Sequence, residues 1–217
     1  MKNGFTLAEV LITLVIIGVI AALTVPALIQ NTQKQEYVSA LKKAYSTLSQ
    51  VAQIIIAEEG TPKCNDGGWA CSNEEVKDMF IKHLNSIKDC GLSTNGGCFY
   101  KGNYYNPLGD KGWGGIDGAN YTAKFRLADG AGVGFDGVYK DCITPGNNLS
   151  NVGSNNVCAI LRVDINGDKK PNLYARDYFM FVLKENGVFP AGCDLNNCPQ
   201  QANNCACKVL TEGAMNY

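Results

Sequence analysis

The first third of the chain carries two hydrophobic patterns in succession. From Val10 to Ile29 the residues are apolar on every side of a helix, interrupted by little more than Thr13, Gly18 and Thr24. Twenty helical residues rise about 30 Å, the hydrocarbon thickness of a bilayer, and a globular core helix rarely stays apolar all round for so long. The run predicts a membrane-spanning helix. Gly18 weakens it, and Pro26, which lacks a backbone donor, kinks or loosens it.

From Asn31 the pattern changes. Tyr37, Leu41, Ala44, Tyr45, Leu48, Val51, Ala52 and Ile55 recur at three-and-four spacing, with Lys34, Glu36, Lys42, Lys43 and Gln50 on the other faces. This spacing predicts an amphipathic helix packed along one face and ended by Gly60 and Pro62. Apart from Pro26 no turn signal separates the two stretches, so they read as one helix of about 80 Å. After it, "CSNEEVKDMFIKHLNSIKD" predicts a short helix: Ser72 is an N-cap with Glu75 three residues on, and Val76, Phe80, Ile81 and Leu84 form a stripe. His83, the one histidine, is read there as solvated or cap-bonded. The segments "YTAKFRLAD", "GVGFDGVYKD", "VCAILRVDI" and "DYFMFVLKE" alternate or are rich in β-formers between turn residues, and predict strands. The fold class is α+β: a long N-terminal helix, apolar then amphipathic, packed on an antiparallel β head over residues 61–217.

Composition adds the redox compartment. All ten cysteines, from Cys64 to Cys207, fall in the Gly/Asn-rich head. An even number so confined suggests disulfides formed outside the cytosol. Zinc is the alternative, but Cys-x-x-Cys is missing and histidine support is slight. Local spacing suggests Cys64/Cys71, Cys90/Cys98, Cys142/Cys158 and Cys193/Cys198, with Cys205 and Cys207 paired elsewhere. The formal net charge of −1 gives nucleic-acid binding no support.

Two motifs offer chemistry. Asp164, Asn166, Asp168, Asn172 and Asp177 place oxygen ligands at spacings that suit a hard cation such as Ca²⁺. The spacing is not that of an EF-hand, since Gly167 stands fourth and Ala175 stands where a closing Glu belongs. The alternative is an Asn166–Gly167 turn between two strands, with the acids facing water. "GVGFDG" matches G-x-G-x-x-G, but "VYKDCITPG" after it is not helical, so its glycines are read as turns. With one histidine and no nucleophile motif, most acid–base constellations lack a base. Tyr104, Tyr105 and Trp113 suit an adhesive surface or packing under disulfide loops.

"GFTLAEVLITLVIIGVIAALTVP" resembles the start of type IV pilins and of type II secretion pseudopilins: Gly, Phe, Thr, Leu, a small residue, Glu, then an apolar helix. The resemblance covers roughly residues 1–60. It implies that residues 1–4 are a leader, that a membrane prepilin peptidase cuts after Gly4, and that Phe5 becomes the methylated first residue. Residues 5–29 then serve in the membrane and later in a filament core, and residues 30–60 form the amphipathic half. It implies that Glu9, costly near lipid, meets the amino group on Phe5 of a neighbouring subunit, and that Gly18 and Pro26 mark a stretch able to unwind on assembly. Pseudopilins hold calcium in a loop near the C-terminal strands, which extends to residues 164–177 as Ca²⁺, the one cofactor expected. The expected partners are like subunits or other pilins, the peptidase, the pilus or secretion machinery, and membrane lipid. The expected location is a single pass of the inner membrane with the head outside the cytoplasm, then a periplasmic or surface filament. A surface pilus, a secretion pseudopilus and a DNA-uptake filament share this N-terminus, and a membrane-tethered binding or adhesive head is the alternative to a filament subunit.

Overall fold

The computed structural model describes residues 4, 6–106, 109, 115–143, 155–193, 198 and 205–216. The chain forms two compact units, Met1–Glu36 and Tyr37–Tyr217. Helix α1, Leu7–Glu59, begins in the first and ends in the second. In the first unit it is continuous through Gly18 and Pro26, and is long and apolar enough to cross a membrane. Its hydroxyls are satisfied internally: Thr13 donates to the Val10 carbonyl, Thr24 to Ile20 and Thr32 to Leu28. Such bonding lets polar residues sit in an apolar helix without stray donors.

In the second unit α1 presents the expected stripe. Val38, Leu41, Ala44, Leu48, Val51, Ala52 and Ile55 are buried, while Tyr37 and Tyr45 are only half-buried. Val38 joins this face although the spacing did not place it there. Gly60, in the left-handed region, ends the helix with its N–H on the Ile56 carbonyl.

The stripe packs on one face of a six-stranded antiparallel sheet whose spatial order follows the sequence: β1 (Ser86–Gly91), β2 (Ala123–Leu127), β3 (Gly132–Asp136), β4 (Ala159–Asp164), β5 (Tyr178–Lys184) and β6 (Gly187–Pro190). The register sets Phe125, Val133, Val163 and Phe179 in one row. Ala123, Phe135, Leu161 and Phe181 form the next. All of these but Ala123 join the α1 stripe in the main core, where Tyr45 stacks on Phe181 with ring centroids 5.7 Å apart.

Four strand expectations hold, although β3 takes up only the first half of "GVGFDGVYKD". Two elements were not foreseen, β6 and the helix α3 (Ala206–Glu212). The helix expected over residues 71–89 is corrected. Ser72 does cap it, accepting the Glu75 N–H at 3.2 Å, but α2 spans only Asn73–His83. Beyond it Ser86–Gly91 pairs as β1 with β2, through two register shifts. Apolar side chains thin out after Leu84, so helical periodicity no longer earns burial and pairing with β2 decides the conformation. His83 is exposed beside Glu58, 3.3 Å away.

All ten cysteines are in disulfides, which removes the zinc alternative. Cys64–Cys71, Cys90–Cys98 and Cys142–Cys158 are joined as the spacing suggested. Cys193/Cys198 is corrected: the bonds are Cys193–Cys207 and Cys198–Cys205. The Cys207 N–H donates to the Ala191 carbonyl, laying the start of α3 against the exit of β6, so that Cys207 meets Cys193.

The far face of the sheet is covered by the loop after β1. Gly132 and Gly134 lie inside β3, and of the "GVGFDG" glycines only Gly137 falls outside the strand, with its φ in the left-handed region. A Cβ on Gly132 would come 2.5 Å from the Cys98 carbonyl oxygen. Two buried charges fasten that loop. Asp117 accepts the N–H groups of Gly97, Cys98 and Phe99. Lys124 donates to the carbonyls of Ile116, Asp117 and Ala119.

Candidate functional site

Functional expectations fall on two places, the start of α1 in the first unit and the β4–β5 loop in the second. Gly4 is exposed, and Phe5 lies outside the described residues. Thr6 and Glu9 form a reciprocal cap. The Glu9 N–H donates to Thr6 Oγ1 at 3.3 Å, while the Thr6 N–H and the Thr6 hydroxyl both donate to Glu9 Oε2 at 2.8 Å. This is the T-x-x-E capping box, which satisfies orphan donors at a helix start. Glu9 Oε1 receives no hydrogen bond among the described residues. After Glu9 the first unit presents a bare apolar surface: Leu7, Leu14, Val15, Leu23 and Leu28 are all 60% exposed or more. Gly18 and Pro26 lie on this surface within the unbroken helix, and Pro26 leaves the Ala22 carbonyl without its helical donor.

Thr6 was not singled out from the sequence, although a Ser or Thr three positions before an acidic residue, ahead of an apolar run, is a readable capping signal. Exposed aromatic expectations resolve differently. Tyr104 is buried with Tyr174 and Tyr178 under the disulfide loop, Tyr105 is exposed, and Trp113 lies outside the described residues.

The β4–β5 loop brings together four of its five expected oxygen-bearing residues. Asp164 ends β4 and Asp177 precedes β5, and both are buried. Asp164 Oδ1 accepts the N–H groups of Asn166 and Gly167, and its Oδ2 accepts the Tyr104 hydroxyl. Asp177 accepts the N–H groups of Asn172 and Leu173, each at 2.7 Å, and the Asn166 amide at 3.2 Å. The acids facing water in the turn alternative are thus reduced to Asp168, which is exposed and paired with Arg126 at 3.0 Å. No sequence signal tied Tyr104 to Asp164, from which it is sixty positions away.

Electrostatics make this loop unusual. Burial, and then the charge of Asp177, push the Asp164 carboxyl up to about 8. Burial raises Asp177 to about 6 against the hydrogen bonds it accepts. The buried guanidinium of Arg162 pairs instead with Asp136 and with the Tyr178 hydroxyl. Among the described residues Asn166 Oδ1 and Asn172 Oδ1 are buried without a hydrogen-bond partner. Two buried carboxylates and two orphaned amide oxygens are a donor set that fits a hard cation. Among the described residues no three His, Cys, Asp or Glu side chains gather as a metal cluster, so such an ion would rely on amide oxygens.

A family model, the prokaryotic N-terminal methylation motif, matches residues 1–25. Over 84 residues the chain is 27% identical to the type IV major pilin protein PilE of Neisseria gonorrhoeae, a match covering 39% of this chain and 50% of that protein. It is also 27% identical over 84 residues to a fimbrial protein of Neisseria meningitidis serogroup B, covering 39% and 49%. The chain thus spans about half the length of the curated relatives it matches. No solved structure matches the chain.

Proposed function

We propose that this chain, whose residues 1–25 match the prokaryotic N-terminal methylation motif, is a structural subunit of an extracytoplasmic filament. It is cut after Gly4 by a prepilin peptidase, methylated on Phe5, held in the membrane by residues 5–29, and assembled with its own kind through α1. The observation that carries this is the exposed apolar surface from Leu7 to Ile29 with Glu9 as its single charge. An anchor alone gains nothing from a carboxylate at lipid depth, whereas a helix bundle gains a polar contact that fixes the stagger between subunits. Gly18 and Pro26 supply the stretch that loosens when subunits leave the bilayer. Two relatives named as pilus subunits favour a surface fibre over a secretion pseudopilus or a DNA-uptake filament. The same resemblance favours a structural role over an enzymatic one.

The deciding experiment expresses the full chain with its assembly machinery and shears the cells. Wild type appears in the sheared fibre fraction, and Glu9→Val remains in the membrane with fibre recovery down at least about tenfold, the effect of losing one desolvated charge contact. Equal recovery of both proteins would contradict assembly through Glu9. A membrane-tethered binding head, by contrast, would stay with the membrane in both cases.

Within this role, Asp164, Asp177, Asn166 and Asn172 are proposed to hold Ca²⁺. When bound, the ion would balance two buried charges and clamp the loop between β4 and β5. The support is the pair of orphaned amide oxygens beside carboxyls pushed above their ordinary range.

A further inference from the structure

The two buried carboxylates of the β4–β5 loop are nearly filled by hydrogen bonds from their own chain. A carboxylate offers about four lone-pair sites, two on each oxygen. Asp164 Oδ1 accepts the N–H groups of Asn166 and Gly167, and its Oδ2 accepts the Tyr104 hydroxyl. Asp177 Oδ2 accepts the Asn172 N–H and the Asn166 amide, and its Oδ1 accepts the Leu173 N–H. Among the described residues this leaves Asp164 a free site only on Oδ2 and Asp177 a free site only on Oδ1. The orphaned amide oxygens belong to the same wiring. Asn172 is 3% exposed and binds Asp177 through its main chain, while Asn166 binds Asp177 through its side chain.

Every named donor to the two carboxylates comes from the loop itself except Tyr104, which lies in the segment after β1. The Tyr104 ring is fully buried, with centroids 4.7 Å from Tyr178 and 5.9 Å from Tyr174, so packing holds its hydroxyl in place. The next residue ties the same segment to the loop twice more. The Tyr105 N–H donates to the Asn172 carbonyl at 3.3 Å, and the Tyr174 N–H donates to the Tyr105 carbonyl at 2.9 Å.

We infer that Tyr104 is a positioning residue for a cation held by Asp164 and Asp177: its hydroxyl fixes which site of Asp164 stays open, and the same bond ties the segment after β1 to that carboxylate. This rests on the calcium site proposed above. A ligating oxygen that is oriented beforehand loses less freedom on binding. Groups that hold a ligating carboxylate from behind typically matter 10–100-fold in metal affinity. Two carboxylates buried together repel each other, so Asp164 and Asp177 are held firmly only with a divalent ion between them. Tyr104 and Tyr105 then become more firmly anchored as well, although neither touches the ion.

Tyr104→Phe removes the hydroxyl and keeps the ring. Calcium is titrated by calorimetry into the full chain in detergent micelles at a fixed pH. The variant should bind with a Kd raised about tenfold. At calcium a hundredfold above the wild-type Kd, its calcium-induced rise in melting temperature should be about half that of wild type. A hydroxyl that served only the fold would lower the melting temperature equally in calcium and in chelator, and would leave the Kd unchanged. Amide hydrogen exchange of wild type supplies a measurement that needs no variant: exchange at Tyr105 should slow at least about tenfold when calcium replaces chelator. Equal Kd values for wild type and Tyr104→Phe would overturn the positioning role, and so would Tyr105 exchange that ignores calcium while calcium binds. Absence of calcium binding to wild type would remove the site itself, and this inference with it.

Discussion

Asp164 and Asp177 give the head a pH dependence with a definite sign. Burial raises both carboxyls in the folded chain, to about 8 and about 6, above the ordinary value of 3.8. A carboxyl that binds its proton more tightly when folded favours folding at low pH, and that advantage is lost as the pH rises from about 4 through the folded values. In a chelator the melting temperature of the full chain in detergent should therefore fall between pH 5 and pH 8. Calcium at pH 8 should raise it by about 5–10 °C at a hundredfold excess over Kd, and by much less at pH 5, where Asp164 carries its proton. Asp164→Asn should flatten the pH dependence and abolish the calcium response. A melting temperature in chelator that climbs from pH 5 to pH 8, or no calcium response at pH 8, would contradict the proposed site. At this scale the sequence revealed oxygen-bearing residues but not their surroundings. The spacing from Asp164 to Asp177 suggested a cation, whereas the Tyr104 hydroxyl on Asp164 and the diversion of Asp168 to Arg126 come from tertiary packing.

The elements were legible where one periodicity acted alone. The three-and-four spacing of α1 located its buried face, missing only Val38, because a helix end-stopped by Gly60 has one direction in which to bury a stripe. Strands β2 to β5 were readable from their β-rich runs. The segment from Ser86 to Gly91 was not: its side chains are largely exposed, and it is a strand only because β2 offers an edge to pair with. The glycines of β3 were misread for a related reason, since the loop that crowds them is remote in sequence. The far face of the sheet also holds a buried ion pair, Arg162 with Asp136, supported by the Tyr178 hydroxyl at 3.1 Å. Removing one member leaves the other charged and unpaired. Arg162→Met should cost about 3–5 kcal/mol in denaturant unfolding, and adding Asp136→Leu should recover most of that loss. A double variant no more stable than Arg162→Met would show that the pair is not coupled as drawn.

At the scale of the whole molecule, two chemistries divide the chain. Residues up to Glu36 form a unit whose surface from Val10 to Ile29 is apolar and whose hydroxyls at Thr13, Thr24 and Thr32 bond carbonyls of the helix itself. From Tyr37 onward the chain is a disulfide-bonded α+β unit, each bridge closing a loop of 7 to 16 residues in sequence separation. Loops of that size lower the entropy of the unfolded chain by roughly 3 kcal/mol each in the chain-entropy account. Both features suit life outside the cytoplasm, the first in lipid or in a helix bundle and the second in an oxidising medium. The intact mass of the protein recovered from sheared fibres tests their union most directly. The account predicts the full chain lacking residues 1–4, heavier by one methyl group and lighter by two hydrogens for each of the five disulfides. A fibre fraction without the protein, or a protein that keeps residues 1–4 or has lost the whole apolar segment, would contradict it.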